Sequence, residues 1–189
     1  MPSKGYPIIN IHQEAESVKS EKIPMLAGIV LIILLAFLIV WKADILGVAE
    51  TRLEQDAREK LKVESGWEVA QAVNKDISAM LFYDQDGQES KYAIYLTREG
   101  LSYGYFYTQG GSDIQKTEKV KGIVFEDKGI VLMSLNQDKV CKIVIENEGK
   151  EETIQVDCQK PFAMVLPVDC SEIVMYDEQE NIVTLYDTE

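Results

Sequence analysis

Hydrophobic and polar positions follow three successive regimes along the chain. Residues 1–22 are mixed and polar, with Glu14, Glu16 and Glu21 set among lysines. The 19 residues from Ile23 to Trp41 then carry no charge at all. A helix packed on a soluble core keeps a polar stripe, and this run has none. At about 1.5 Å per residue it would cover most of the ~30 Å hydrocarbon core of a bilayer. Lys22 and Lys42 bracket it, Trp41 takes the place of an interfacial aromatic, and Pro24 falls in the first turn, where its missing N–H costs little. The pattern predicts a transmembrane helix over 23–41, with the lipid bilayer as its partner. A cleavable signal peptide fits less well. Its apolar part is shorter and closer to the start, and here Lys42 and Asp44 separate the run from the small residues Gly47 and Ala49.

After the run the period changes. Leu46, Ala49, Leu53, Ala57 and Leu61 recur at helical steps with charged residues between them, predicting a helix from about 43 to 64. Joined to the span, it would form a stalk over 42–66, stopped at Gly66. Trp67 to Asn74 reads as a short second helix. From Asp76 onward, strand-like runs alternate with turn signals such as Asp86-Gly87, Asp127-Lys128-Gly129 and Asn136-Gln137-Asp138. Examples are Ile77–Tyr83, Ser102–Thr108, Val140–Glu146, Thr153–Cys158 and Phe162–Leu166. The expected fold class is a single transmembrane helix plus a mainly-β (α+β) domain. After the stalk, an antiparallel meander or sandwich of about 8–10 short strands would fill 67–189 as one domain.

The segment Val140 to Cys158 reads as a hairpin. With Gly149-Lys150 as a two-residue turn, Gly first, Ile145 faces Ile154, Ile143 faces Val156 and Cys141 faces Cys158, all on one apolar side. The other side pairs Val144 with Gln155 and Lys142 with Asp157. In that register the two cysteines stand close enough for a disulfide, which an oxidising compartment would favour. Two reduced thiols in a core are the alternative, and Cys170 is left over.

Three tyrosines, Tyr103, Tyr105 and Tyr107, alternate with Gly104 and Phe106, so a regular strand would set all three on one face. An exposed face of this kind could stack on sugar rings or grip an extended peptide; a buried one would pack under a loop or helix. Gly104 offers a place for another backbone to come close. Asp84, Asp86, Gly87 and Glu89 resemble part of a calcium loop, but the oxygen-ligand spacing is incomplete and a tight turn fits better.

Charge narrows the function. From residue 43 onward there are 15 Lys/Arg and 29 Asp/Glu, and the whole chain carries a net −13. Such a surface repels phosphate backbones, so nucleic acid is not an expected partner. The only histidine, His12, lies in the tail, and no catalytic motif, phosphate loop or metal-ligand spacing is visible. No enzyme activity, cofactor or metal is expected. Flanking lysines and arginines tie across the run, while the short tail favours the N-terminus inside and the acidic domain outside. The expectation is a single-pass membrane protein displaying a non-enzymatic binding, sensing or assembly domain at the cell surface. The rivals are a subunit of a secretion, conjugation or envelope-assembly complex, and a glycan-acting enzyme working through paired carboxylates.

Overall fold

A computed structural model describes residues 26–38, 45–112, 120–147 and 149–184. The chain forms two compact units, Met1–Ile45 and Leu46–Glu189. The described part of the first is a helix over 26–38 (α1), built only of Leu, Ile, Val, Ala, Phe and Gly. These described residues account for some 20 Å of rise at about 1.5 Å per residue. Among the described residues no helix is long and apolar enough to cross a membrane. The rest of the run 23–41, with Pro24, Trp41 and the flanking lysines, lies outside the described residues, as does His12.

The second unit is mainly β, and its sheets are antiparallel. A 3₁₀ turn, Glu50–Arg52, leads into α2 (Leu53–Leu61). Strands β1 (Glu68–Val73), β2 (Ile77–Tyr83), β3 (Ser90–Leu96) and β4 (Phe106–Gly111) form a meander in the order β1-β2-β3-β4. Strands β5 (Lys121–Phe125), β6 (Gly129–Ser134) and β9 (Phe162–Leu166) form a second sheet. Strands β7 (Val140–Asn147), β8 (Lys150–Gln155), β10 (Cys170–Asp177) and β11 (Ile182–Val183) form a third, ordered β11-β10-β7-β8.

Burial orders these elements into layers. One face of the first sheet, through Ile77, Ala79, Leu81 and Ile94, packs on Val131 and Met133 of the second. The opposite face, through Met80, Phe82, Ala93 and Tyr95, is covered by Leu53 and Ala57 of α2. The far side of the second sheet, through Leu132, Phe162 and Leu166, meets Ile143, Ile145 and Met175 of the third. Strands covered on both sides need not alternate, which is why β2 is buried at every position from Ile77 to Phe82.

The helix expected over 43–64 is shorter and does not stand free. Leu46 and Val48 pair with Tyr103 and Tyr105, so the chain is extended before Glu50. Lys62 then turns left-handed (φ 52°) and ends α2, with the Val63 N–H bonded to the Arg58 carbonyl. Leu53 and Ala57, four residues apart, are fully buried against the sheet, and Lys91 Nζ donates to the Leu61 and Lys62 carbonyls at 3.0 Å. Apolar periodicity finds Leu53 and Ala57, but Leu46 and Ala49 precede the helix and are exposed, and the pattern cannot say whether a stripe meets lipid, another helix or a sheet.

The short helix expected over Trp67–Asn74 is strand β1. Its alanines favour a helix locally, but pairing along β2, from Glu68 opposite Tyr83 to Val73 opposite Ser78, satisfies one edge of its backbone and half-buries four of its six side chains. Leu53→Ala should destabilise the domain by about 2–5 kcal/mol, the usual cost of truncating a fully buried leucine. Urea unfolding followed by circular dichroism of the sheet reads this directly; a free-standing stalk would lose almost nothing.

Candidate functional site

The hairpin β7–β8 forms, but two residues away from the expected register. Lys142 faces Gln155, Ile143 faces Ile154 and Asn147 faces Lys150. The connection therefore lies between Asn147 and Lys150, with Gly149 in its second position at φ 74°, a conformation that glycine takes without cost. A slip of two residues keeps every side chain on its original face, so hydrophobic alternation cannot distinguish the two registers.

Cys141 consequently sits opposite Val156, whose N–H donates to the Cys141 carbonyl at 2.8 Å. The chain then bends. The Gln159 N–H donates to Asp157 Oδ1 at 3.0 Å and the Lys160 N–H to the Asp157 carbonyl at 3.2 Å. This turn brings Cys158 back to Cys141, and the two form a disulfide with Cα atoms 4.6 Å apart. The Gln159 N–H, aided by Lys160 against some desolvation, holds the Asp157 carboxyl below its ordinary range. Asn136, buried and left-handed (φ 56°), secures the same corner. It accepts from the Val140 N–H at 2.7 Å and donates to the Val140 and Asp157 carbonyls at 3.2 and 3.1 Å. Cys170 pairs with Asn147 at the other end of β7 and is a free thiol. Burial raises its pKa, and Glu152 and Asp169 add to the effect.

The tyrosines do not share a face. Gly104, at φ 88°, breaks the alternation, and β4 begins only at Phe106. A Cβ on Gly104 would lie 2.7 Å from the Val48 carbonyl oxygen, and one on Gly47 would lie 2.6 Å from the Tyr105 carbonyl oxygen, so the two backbones are in direct contact. Tyr105 turns inward, 8% exposed, and its hydroxyl donates to the Asn74 carbonyl at 2.6 Å. Tyr103 stays outside at 68%, and Tyr107 lies at the surface with its ring edge-on to Tyr95 at 5.4 Å. A flat stacking platform of three rings is therefore not present.

A contact invisible in the sequence lies beside them. The fully buried Tyr95 donates its hydroxyl to Asp56 at 2.5 Å, joining β3 to α2 across 39 residues. Lys60 holds the same carboxylate with contacts of 2.7 and 2.6 Å and lies over the Tyr107 ring. Burial, reinforced by Asp56, pushes the Tyr95 pKa far above that of an ordinary tyrosine. Next to this cluster is an open groove of about 570 Å³ lined by Gly47, Val48, Ala49, Arg52, Gln55, Asp56 and Glu59. Both of its carboxylates are engaged, Asp56 as described and Glu59 by Gln55 at 3.0 Å. The Asp84–Glu89 segment is a hairpin turn, Asp84 Oδ1 accepting from the Gln88 and Glu89 N–H groups. Among the described residues no group of three His, Cys, Asp or Glu is placed to hold a metal.

Comparison with known proteins returned nothing: no family model, no curated protein and no solved structure matches this chain.

Replacing Cys141 and Cys158 by serine should lower the unfolding free energy by about 3 kcal/mol, the loop-closure term expected for a separation of this length. Guanidinium midpoints of oxidised wild type and the double variant measure it. Tyr95 gives a pH dependence of known sign. Its folded pKa is raised, so its contribution is complete below the ordinary tyrosine value of about 10 and is lost as pH rises above it. Alkaline difference spectroscopy should show tyrosine ionisation delayed until the domain unfolds, and Tyr95→Phe should reduce that late step by one tyrosine.

Proposed function

We propose that this chain is a single-pass membrane protein whose acidic, disulfide-closed β domain lies outside the cytoplasm and serves as a binding, sensing or assembly module. The observation that carries the reading is the surface of α1. Ten large apolar side chains, from Leu26 to Leu38, are 46–67% exposed, and they point in every direction around the helix. Leaving them in water would cost on the order of 15–30 kcal/mol, which lipid removes. The 19-residue uncharged run that contains α1 is long enough to span.

Two further observations support the side of the membrane and the kind of role. The Cys141–Cys158 bridge belongs to an oxidising compartment, and the acidic surface is at ease away from anionic lipid. The groove beside α2 holds carboxylates already committed to Tyr95, Lys60 and Gln55, which favours recognition over acid–base chemistry. The Asp84–Glu89 turn, the 136–139 turn and the disulfide gather at one end of the domain: Gly87 lies against Gln137, and Asn136 is bonded to Asp157. The chain enters this unit beside Tyr103, at the opposite end of β3.

The chain should stay with membranes through alkaline carbonate washing. Leu31→Arg together with Leu34→Arg, each costing about 2.5–3.5 kcal/mol of insertion, should release it. In intact cells a membrane-impermeant maleimide should reach Cys141 and Cys158 only after reduction and mild denaturation. Labelling that requires lysis would place the domain in the cytoplasm and overturn the reading.

A further inference from the structure

We infer that Leu46, Leu101 and Tyr103 form an apolar foot by which the β domain rests in the interfacial layer of the bilayer that anchors it; this rests on the membrane-anchor reading above. The three side chains are 65%, 83% and 68% exposed, among the most exposed large apolar groups of the second unit. They belong to two segments that the fold brings together. Leu46 forms a bridge with Tyr103, and the Gly47 N–H donates to the Tyr103 carbonyl at 2.7 Å. Leu101 lies two residues from Tyr103, in the loop between β3 and β4.

That loop is built rather than slack. Gly100 takes φ 87°, the Ser102 hydroxyl donates to the Arg98 carbonyl at 2.6 Å, and the Arg98 guanidinium stacks over Phe106 at 3.9 Å. The backbone contact at Gly47 and Gly104 fixes the loop's neighbour, the entering chain. Leu101, held outward at this braced tip, adds little to the core.

The length of the tether selects the occupant. Leu46 follows five residues after Trp41, the end of the uncharged run. A fully extended chain covers at most about 3.6 Å per residue, so Leu46 cannot lie more than ~18 Å from the point where the run leaves the hydrocarbon. The headgroup layer alone accounts for several ångströms of that distance. A patch whose first member is tethered this closely meets lipid before any other partner. Tyr103 has the ring-and-hydroxyl character favoured at that depth. Arg98 and Glu99 sit side by side in the loop, so the contact is apolar and needs no anionic lipid.

The test uses the full chain in nanodiscs of a zwitterionic lipid, with and without bromine on the acyl chains. Three single-tryptophan forms are compared. One keeps Trp41 with Trp67→Phe. The others carry Trp41→Phe and Trp67→Phe with either Leu101→Trp or Gln85→Trp. Gln85 is exposed in the turn at the far end of β2 and β3, about 20 Å of strand away. Neither added tryptophan replaces a buried residue, and circular dichroism checks that each form is folded. The expected result is a blue-shifted emission quenched by brominated lipid at positions 41 and 101, with neither effect at 85. Quenching at 41 with position 101 behaving like 85 overturns the foot and leaves the anchor standing. A blue shift at 101 without bromine quenching means that protein, such as a second copy, covers the patch, and also overturns it. Absence of quenching at 41 removes the anchor itself, and the foot with it.

Discussion

Strand β2 has two faces and both are apolar: Ile77, Ala79 and Leu81 on one side, Met80 and Phe82 on the other. A sheet built around such a strand must be covered twice, and the rest of the domain follows from that requirement. One cover is α2, which is too short to be stable alone and gains its helical form from Leu53 and Ala57 seated on the sheet. The other is the β5-β6-β9 sheet, whose central strand β6 is itself buried on both sides and so requires a third sheet beyond it. The succession stops there because the outer face of the third sheet carries Lys142, Glu146, Glu151 and Glu172, which water satisfies. Ser78 Oγ and Arg58 Nη1 are among the buried side-chain atoms with no hydrogen-bond partner among the described residues.

Local devices then hold the ends of the layers. Lysine and arginine side chains supply several of them. Lys91 caps α2 and lies over Trp67, Arg58 lies over Phe82 while pairing with Glu54, and Lys121 lies over Tyr92. In a domain so rich in carboxylates these cations are spent at joints between layers rather than spread over the surface. The excess of acidic groups that remains is a solvated exterior, which disfavours anionic lipid and nucleic acid as partners. An apolar foot, as proposed, would let such a domain settle on a bilayer through a few side chains rather than through its acidic surface.

Much of this was legible in the chain, and the limits of legibility follow the physics. Strand β2 and strand β9 fall where the apolar runs and their turn signals put them. The hairpin around Gly149 was legible in kind, and the side of the sheet on which Cys141 lies was legible too. The register was not, because period-two alternation is blind to a slip of two and only the turn, with its left-handed Gly149, resolves it. The Glu68–Val73 segment misleads because alanine-rich alternation over six residues suits either a helix or a strand until β2 offers hydrogen bonds.

The sequence by itself determined the quantities that depend on composition and short period: an uncharged run of 19 residues, an acidic β-rich region after it, the apolar face of the hairpin around Gly149, and positions at which glycine permits a turn. Tertiary structure alone decided which apolar faces meet, because every such face is equally sticky and only geometry pairs them. It turned Tyr105 into the core and left Tyr103 outside through one left-handed glycine. It set Asp56 under the hydroxyl of Tyr95, and it carried Cys158 around a turn to reach Cys141. None of these contacts has a periodic signature, since each joins residues far apart in the chain, and the free energy that selects them appears only once the layers have closed.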